Sequence, residues 1–162
     1  MINCIVAVER NQGIGFNGQM PWPHLKGDMS WFRSITSNNI IIMGRKTWDS
    51  IPAKFRPLPG RDNWVITRQR DWHAPGAIVA HSLTEVMHRM PPDAQPWIMG
   101  GGEIYAQALP LATHAVITEI DLVIDDGDTF APELGSEWSE VSRESHVSAH
   151  GLAFDFVRLQ KT

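Results

Sequence analysis

The most constraining feature of this chain is a series of short apolar runs, rich in Val and Ile, with almost no polar alternation: Asn3–Val8, Ile40–Met43, Asn63–Thr67, Ala77–Ala80, Trp97–Met99 and Ala115–Ile120. Such runs are expected of strands covered on both faces, as in a parallel sheet flanked by helices. Amphipathic stretches at Leu25–Thr36, Thr47–Ile51, Leu83–Arg89 and Glu103–Leu109 lie between them and read as the helices. The alternation predicts an α/β fold with a largely parallel sheet. Two longer strands, Glu140–Ser148 and Ala153–Leu159, close the chain and are joined near His150-Gly151, so an antiparallel edge is expected there. With 162 residues and no repeat, linker or low-complexity tract, one domain spanning 1–162 is expected. Residues 9–24 and 121–137 form two long irregular stretches, of a length often tied to function.

Charge and cysteine content exclude several classes. The net charge of −4 leaves no electrostatic footprint for nucleic acid or an anionic membrane. Cys4 is the only cysteine, which removes internal disulfides and multi-cysteine metal sites and points to a reducing compartment. No apolar stretch approaches the roughly 20 residues of a spanning helix. The first apolar run has no basic flank and stops at Glu9, so it reads as a buried strand rather than a signal peptide. A soluble, cytoplasmic protein is the expectation. His146 and His150 are four apart but fall on a strand entering a turn, the other histidines are scattered, and no HExxH is present. No metal site is expected.

Three strand ends carry candidate chemistry. Gly44-Arg45-Lys46-Thr47 follows one strand, Arg68-Gln69-Arg70 another, and Gly100-Gly101-Gly102 a third. Two cations at a helix N-terminus oppose its dipole unless an anion sits there. A triple glycine allows backbone amides to approach a pyrophosphate closely. Taken singly, each is explained by a solvated surface or a tight turn. Taken together, at the carboxyl ends of strands, they favour a dinucleotide with an extra phosphate, such as NADP. Asp28 shares a helix face with Trp31, Phe32 and Ile35. A carboxylate there must be paired or titrate high. It is either a first-turn residue favoured by the dipole or an anchor for an amidine-like ligand edge that assists proton transfer. Arg56 and Arg61 flank Pro57-Leu58-Pro59-Gly60, either as a solvated loop or as a clamp on a carboxylate. Trp22 sits between two prolines.

The order and spacing of several segments then carry a resemblance. They are Gly13-Ile14-Gly15, Met20-Pro21-Trp22, Asp28 with Trp31-Phe32, Ile42-Met43-Gly44-Arg45-Lys46-Thr47-Trp48, Leu58-Pro59-Gly60-Arg61, Met99-Gly100-Gly101-Gly102-Glu103-Ile104-Tyr105 and Thr118-Glu119-Ile120-Asp121. Over nearly its whole length the chain resembles bacterial dihydrofolate reductase. The resemblance implies an eight-stranded, mostly parallel sheet with an antiparallel C-terminal edge and about four helices. It also implies an adenosine-binding subdomain at roughly 39–93, with the remainder a discontinuous loop subdomain. The implied reaction is NADPH-dependent reduction of 7,8-dihydrofolate to tetrahydrofolate, by hydride transfer to pterin C6 and protonation of N5. Antifolates would inhibit it, and the protein would be a monomer.

Residue by residue, the resemblance makes Asp28 the pterin anchor, supported by Thr118, with Met20, Trp22 and Tyr105 completing the catalytic group. Ile5, Val6, Ala7, Met29, Phe32, Ile51, Leu58 and Met99 would line the folate pocket, and Arg61 would grip the glutamate α-carboxylate. Ala7, Ile14, Gly15 and Met20 resemble the nicotinamide shelf. Gly44, Arg45, Lys46, Thr47, Thr67, Arg68 and Gln69 resemble the adenosine and 2′-phosphate site, and Gly100, Gly101, Gly102, Glu103, Ile104 and Tyr105 the pyrophosphate and nicotinamide-side wall. The Gly100–Gly101 peptide is expected to be cis. Residues 9–24 would be a mobile lid packed by Asp126-Gly127-Asp128-Thr129, and its motion would limit turnover.

The chain departs from the commonest bacterial pattern in three places. One extra residue lies within Pro23–Gly27, the 52–56 segment at the rim of the folate pocket is longer, and Arg68 replaces a small hydroxyl residue, implying a stronger 2′-phosphate contact. A reductase of another pterin or of a riboflavin-pathway intermediate is the nearest alternative, and Asp28 together with Arg61 argues for folate. A non-catalytic binder would keep the pocket and lose the acid, against which Asp28, Tyr105 and Met20 speak. A metal-dependent hydrolase lacks the ligand spacing.

Overall fold

The computed structural model describes residues 2–15, 22, 26–125 and 127–162. Ten strands and four helices follow one another as β1 (Ile2–Val8), β2 (Gly13–Gly15), α1 (Lys26–Thr36), β3 (Ile40–Gly44), α2 (Arg45–Ser50), β4 (Asp62–Ile66), β5 (Ala77–Ala80), α3 (Leu83–Arg89), β6 (Trp97–Ile98), α4 (Gly102–Ala108), β7 (Ala112–Ile120), β8 (Thr129–Phe130), β9 (Trp138–Val147) and β10 (Ala153–Lys161). The main sheet has eight strands in the order β5-β4-β3-β6-β1-β7-β10-β9. Pairings from β5 across to β7 are parallel. β10 runs against both β7 and β9, which supplies the antiparallel edge.

The continuous apolar runs have a direct physical cause. Along β3, Ile42 packs into one hydrophobic cluster while Ile41 and Met43 pack into another. Along β4, Trp64 and Ile66 join the first cluster and Val65 the second. Successive side chains point to opposite faces, so a strand covered on both sides keeps a polar residue only where it is hydrogen-bonded, as Asn63 of β4 is to the Leu58 backbone. β9 is the opposite case. It lies at the sheet edge, is exposed from Ser139 to Ser145, and reads accordingly as a polar strand. Arg143 there bonds Glu119, Glu140 and Asp155 on three strands, which blunts the edge with charge.

A second sheet of two strands was not legible as strand in the sequence. Gly13 pairs with Phe130 and Gly15 with Thr129, so part of each long irregular stretch is extended and the two are joined. The Asp128 N–H also donates to the Gly15 carbonyl at 3.0 Å. Asp126 lies outside the described residues. α2 begins at Arg45, two residues earlier than its amphipathic pattern suggests, and α4 begins at Gly102. Among the described residues, no helix is long and apolar enough to cross a membrane.

Candidate active site

A cleft of about 1810 Å³ opens along the carboxyl ends of β1, β3, β4 and β6. It exceeds the roughly 300–1,000 Å³ of a single-ligand pocket, so it has room for two ligands side by side. α1 and the 51–61 segment form one flank. The N-termini of α2 and α4 form another.

Asp28, in the first turn of α1, is half-buried in this wall. The Thr118 hydroxyl, from β7, donates to its Oδ1 at 2.7 Å. Thr118 is itself buried, 3% exposed, so the bond is shielded and holds the carboxylate in one orientation. The neighbouring Trp31 ring stacks on Phe156 at 4.4 Å, which fixes the helix against β10. Asp28 is thus a first-turn acid that also faces the cleft.

Arg61 donates through Nε to the Pro59 carbonyl at 2.9 Å and through Nη1 to the Thr36 hydroxyl at 3.0 Å, and its guanidinium lies over the Phe32 ring at 5.8 Å. Burial, and then the nearby Arg33, lower its proton affinity from the ordinary arginine range. An anion at this position would relieve both effects. Arg56 has a different job. Its Nη1 donates to the carbonyls of Trp48, Asp49 and Ile51 at 3.1, 3.3 and 2.8 Å. It caps the open end of α2 and is not part of a clamp.

At the other side of the cleft, past β3 and β4, the strand-end cations are more exposed. Arg45 pairs with Asp49 one turn along α2 at 2.6 Å, which offsets the cost of a cation at that helix start. Arg68 reaches across from the end of β4 to pair with Glu103 in the first turn of α4. The Gly100–Gly101 peptide is cis, and Gly100 has φ +114°, a conformation that favours glycine. The Gly100 carbonyl accepts from the Gly44 N–H at 2.8 Å. Gly102 must be small for another reason: a Cβ there would meet the Phe130 carbonyl at 2.8 Å. The Tyr105 hydroxyl donates to the Ile5 carbonyl at 2.7 Å. Burial first, then Cys4 and Asp28, push its pKa well above the ordinary phenol value, so it stays a neutral donor that ties α4 to β1.

Most of the expected residues come together here. Ile5, Val6, Ala7, Met29, Phe32, Ile51, Leu58 and Met99 line the cleft, as do Ile14, Gly15, Lys46, Thr47, Thr67, Gln69, Gly101 and Ile104. Two do not line it. Gly100 only supports it through the backbone, and Trp22 is buried in a cluster with Ile120, Phe154 and Phe156 behind the wall. Met20 lies outside the described residues. Sequence reasoning passed over Thr36, which holds Arg61, and His81-Ser82, which line the cleft beyond β5. His81 Nδ1 lies 2.9 Å from the Thr67 carbonyl. The strand-end rule that found Arg68 after β4 would have found His81 after β5 in the same way.

A largely parallel α/β sheet with a wide cleft at its strand ends, carrying Asp28 and Arg61 on one side and Arg45, Lys46 and Arg68 on the other, defines the class of α/β proteins that bind ligands at the carboxyl ends of their strands. The comparisons with known proteins name the family. A family model described as dihydrofolate reductase matches residues 1–161. The chain is 43% identical over 156 residues to the dihydrofolate reductase of Mycobacterium tuberculosis, covering 95% of this chain and 94% of that protein. It is 45% identical over 158 residues to that of Neisseria gonorrhoeae, covering 96% and 95%. It is 38% identical over 151 residues to that of Mus musculus, covering 82% and 79%. The chain belongs to the dihydrofolate reductase family, and it is an oxidoreductase.

Proposed function

We propose that this protein reduces 7,8-dihydrofolate to 5,6,7,8-tetrahydrofolate with NADPH. The observation that carries the reading is the cleft itself. It joins a Thr118-held carboxylate to Arg61 on one side and Arg45, Lys46 and Arg68 on the other, with β6 and β1 between β3 and β7.

The residues present fit such a cofactor. Arg45, Lys46, Arg68 and Gln69 offer cations and an amide for an adenosine 2′-phosphate, and Gly101 and Gly102 bring backbone to the cleft with no side chain in the way. Residues 39–93 would then form the adenosine-binding subdomain. When bound, the reduced nicotinamide supplies the hydride received at pterin C6.

The protein's own groups do the rest. Asp28 binds the amidine-like edge of the pterin and raises the basicity of N5, which takes its proton from water. The Thr118 hydroxyl bonds Asp28 Oδ1 and orients the carboxylate toward the ligand. Phe32, Ile51, Leu58 and Met99 enclose the aromatic body, and Arg61 receives the glutamate α-carboxylate. Tyr105 holds the Ile5 carbonyl and sets the spacing between the folate and cofactor walls.

The test is the initial rate of NADPH absorbance loss with and without dihydrofolate. Folate-dependent oxidation blocked by a diaminopteridine antifolate is the expected outcome. NADPH binding by tryptophan fluorescence without turnover would redirect the substrate to another pterin or a flavin precursor.

A further inference from the structure

Glu9 is buried to 1% exposure and does not line the cleft. Its carboxylate accepts backbone N–H groups from Gly13 at 2.7 Å and Asn11 at 3.0 Å on Oε1, and from Ile124 at 2.8 Å on Oε2. Ile124 is 115 residues away in sequence, so one side chain fastens two separate loops. The backbone around it is closed as well: Glu9 N–H donates to Gly13, Gln12 N–H to Glu9, and Arg10 N–H to Leu122, at 3.1, 3.0 and 2.8 Å. A Cβ on Gly13 would stand 2.5 Å from Oε1, so the fit leaves no room for a side chain there. The next two residues, Ile14 and Gly15, are on the cleft wall.

The chemistry requires a carboxylate. Ionised Glu is acceptor-only on both oxygens. Glutamine has one acceptor oxygen, and its amide nitrogen would turn a donor toward an N–H donor. Charge-assisted bonds from three N–H groups are what keep a buried charge tolerable at this position.

We propose that Glu9 is a positioning residue for the cofactor side of the cleft. It clamps the 9–13 turn to the segment at Leu122–Ile124 and thereby sets where Ile14 and Gly15 stand. It touches neither ligand. The inference rests on the reading of Ile14 and Gly15 as the nicotinamide shelf.

The experiment is equilibrium binding without turnover, by tryptophan fluorescence on the full chain, for Glu9→Gln and Gly13→Ala. Each is titrated with NADPH alone and, separately, with a diaminopteridine antifolate alone. Gly13→Ala keeps the carboxylate but displaces it, so it carries the test if Glu9→Gln fails to fold. NADPH Kd is expected to rise about tenfold, the factor of one lost hydrogen bond, with antifolate Kd unchanged. Val86→Ala, a core truncation on α3 that does not line the cleft, lowers thermal stability and leaves both constants alone. Equal weakening of both ligands, no change in either, or the same NADPH-selective loss in Val86→Ala overturns the proposal. Failure of the unsubstituted protein to bind NADPH overturns the cofactor reading and the inference with it.

Discussion

The two sides of the cleft differ in how their charges are held. On the β7 side, Asp28 and Arg61 are each fixed by a partner from another element. Thr118 holds Asp28 across 90 residues of sequence, and Thr36 holds Arg61 across 25. On the β3–β4 side the cross-cleft pair stands in solvent, with the Arg68 side chain 87% exposed and its partner Glu103 65%, while Arg45 is partly covered beside Asp49. A shielded, hydrogen-bonded carboxylate acts on a ligand through a low effective dielectric and needs no reorganisation. Exposed pairs are screened by salt and contribute little to stability. In the proposed function, the first side would serve chemistry and orientation, the second affinity and cofactor choice.

The largest test of this contrast is Asp28→Asn. Turnover at neutral pH should fall by about 10²-fold or more, with partial recovery in acid, where dihydrofolate is protonated at N5 in solution. A pH profile of kcat measures this, and near-normal activity at neutral pH would remove Asp28 from the mechanism. Next is Arg61→Ala, which should raise KM for dihydrofolate about 10- to 100-fold while kcat changes little, as expected for lost uniform binding through a charge-assisted pair. A fall in kcat with unchanged KM would place Arg61 in the chemistry instead.

On the exposed side the effects shrink. Arg45→Ala combined with Arg68→Ala should weaken NADPH about tenfold and leave NADH unchanged, because only the former carries the 2′-phosphate. The difference should narrow as salt is raised. Equal loss for both cofactors would mean that the phosphate sits elsewhere. Smallest is Glu103→Gln, which releases Arg68 from its internal partner and should tighten NADPH by about two- to threefold, within the range of a surface ion pair. A weaker NADPH complex would mean that Glu103 orients Arg68 rather than competing for it.

Much of this was legible beforehand, for reasons visible in particular residues. Ile40–Met43 announced a strand buried on both faces because alternate side chains feed two cores. The cations after β3 and β4 were legible because strand ends and helix starts are local events. The β2–β8 pair was not, because strands of three and two residues carry no periodicity and gain their identity only from each other. Residue type and position alone do not separate Arg56 from Arg61 around one proline-rich turn, and only the resemblance gave the carboxylate role to Arg61. Only the fold turns the first onto the end of α2 and the second toward Thr36. Nor did the sequence show that Trp22 packs with Ile120, Phe154 and Phe156.

Periodicity and turn residues were sufficient for the α/β architecture, and the resemblance carried by the ordered motifs implied the family and most of the cleft wall. Those properties depend on a residue and its near neighbours, and burial on one or two faces leaves its mark directly in composition. The tertiary structure decided the pairings: Thr118 with Asp28, Thr36 with Arg61, Glu103 with Arg68, and Glu9 with Ile124. Each joins groups far apart in the chain through bonds of about 3 Å, which form only where packing brings the elements into register.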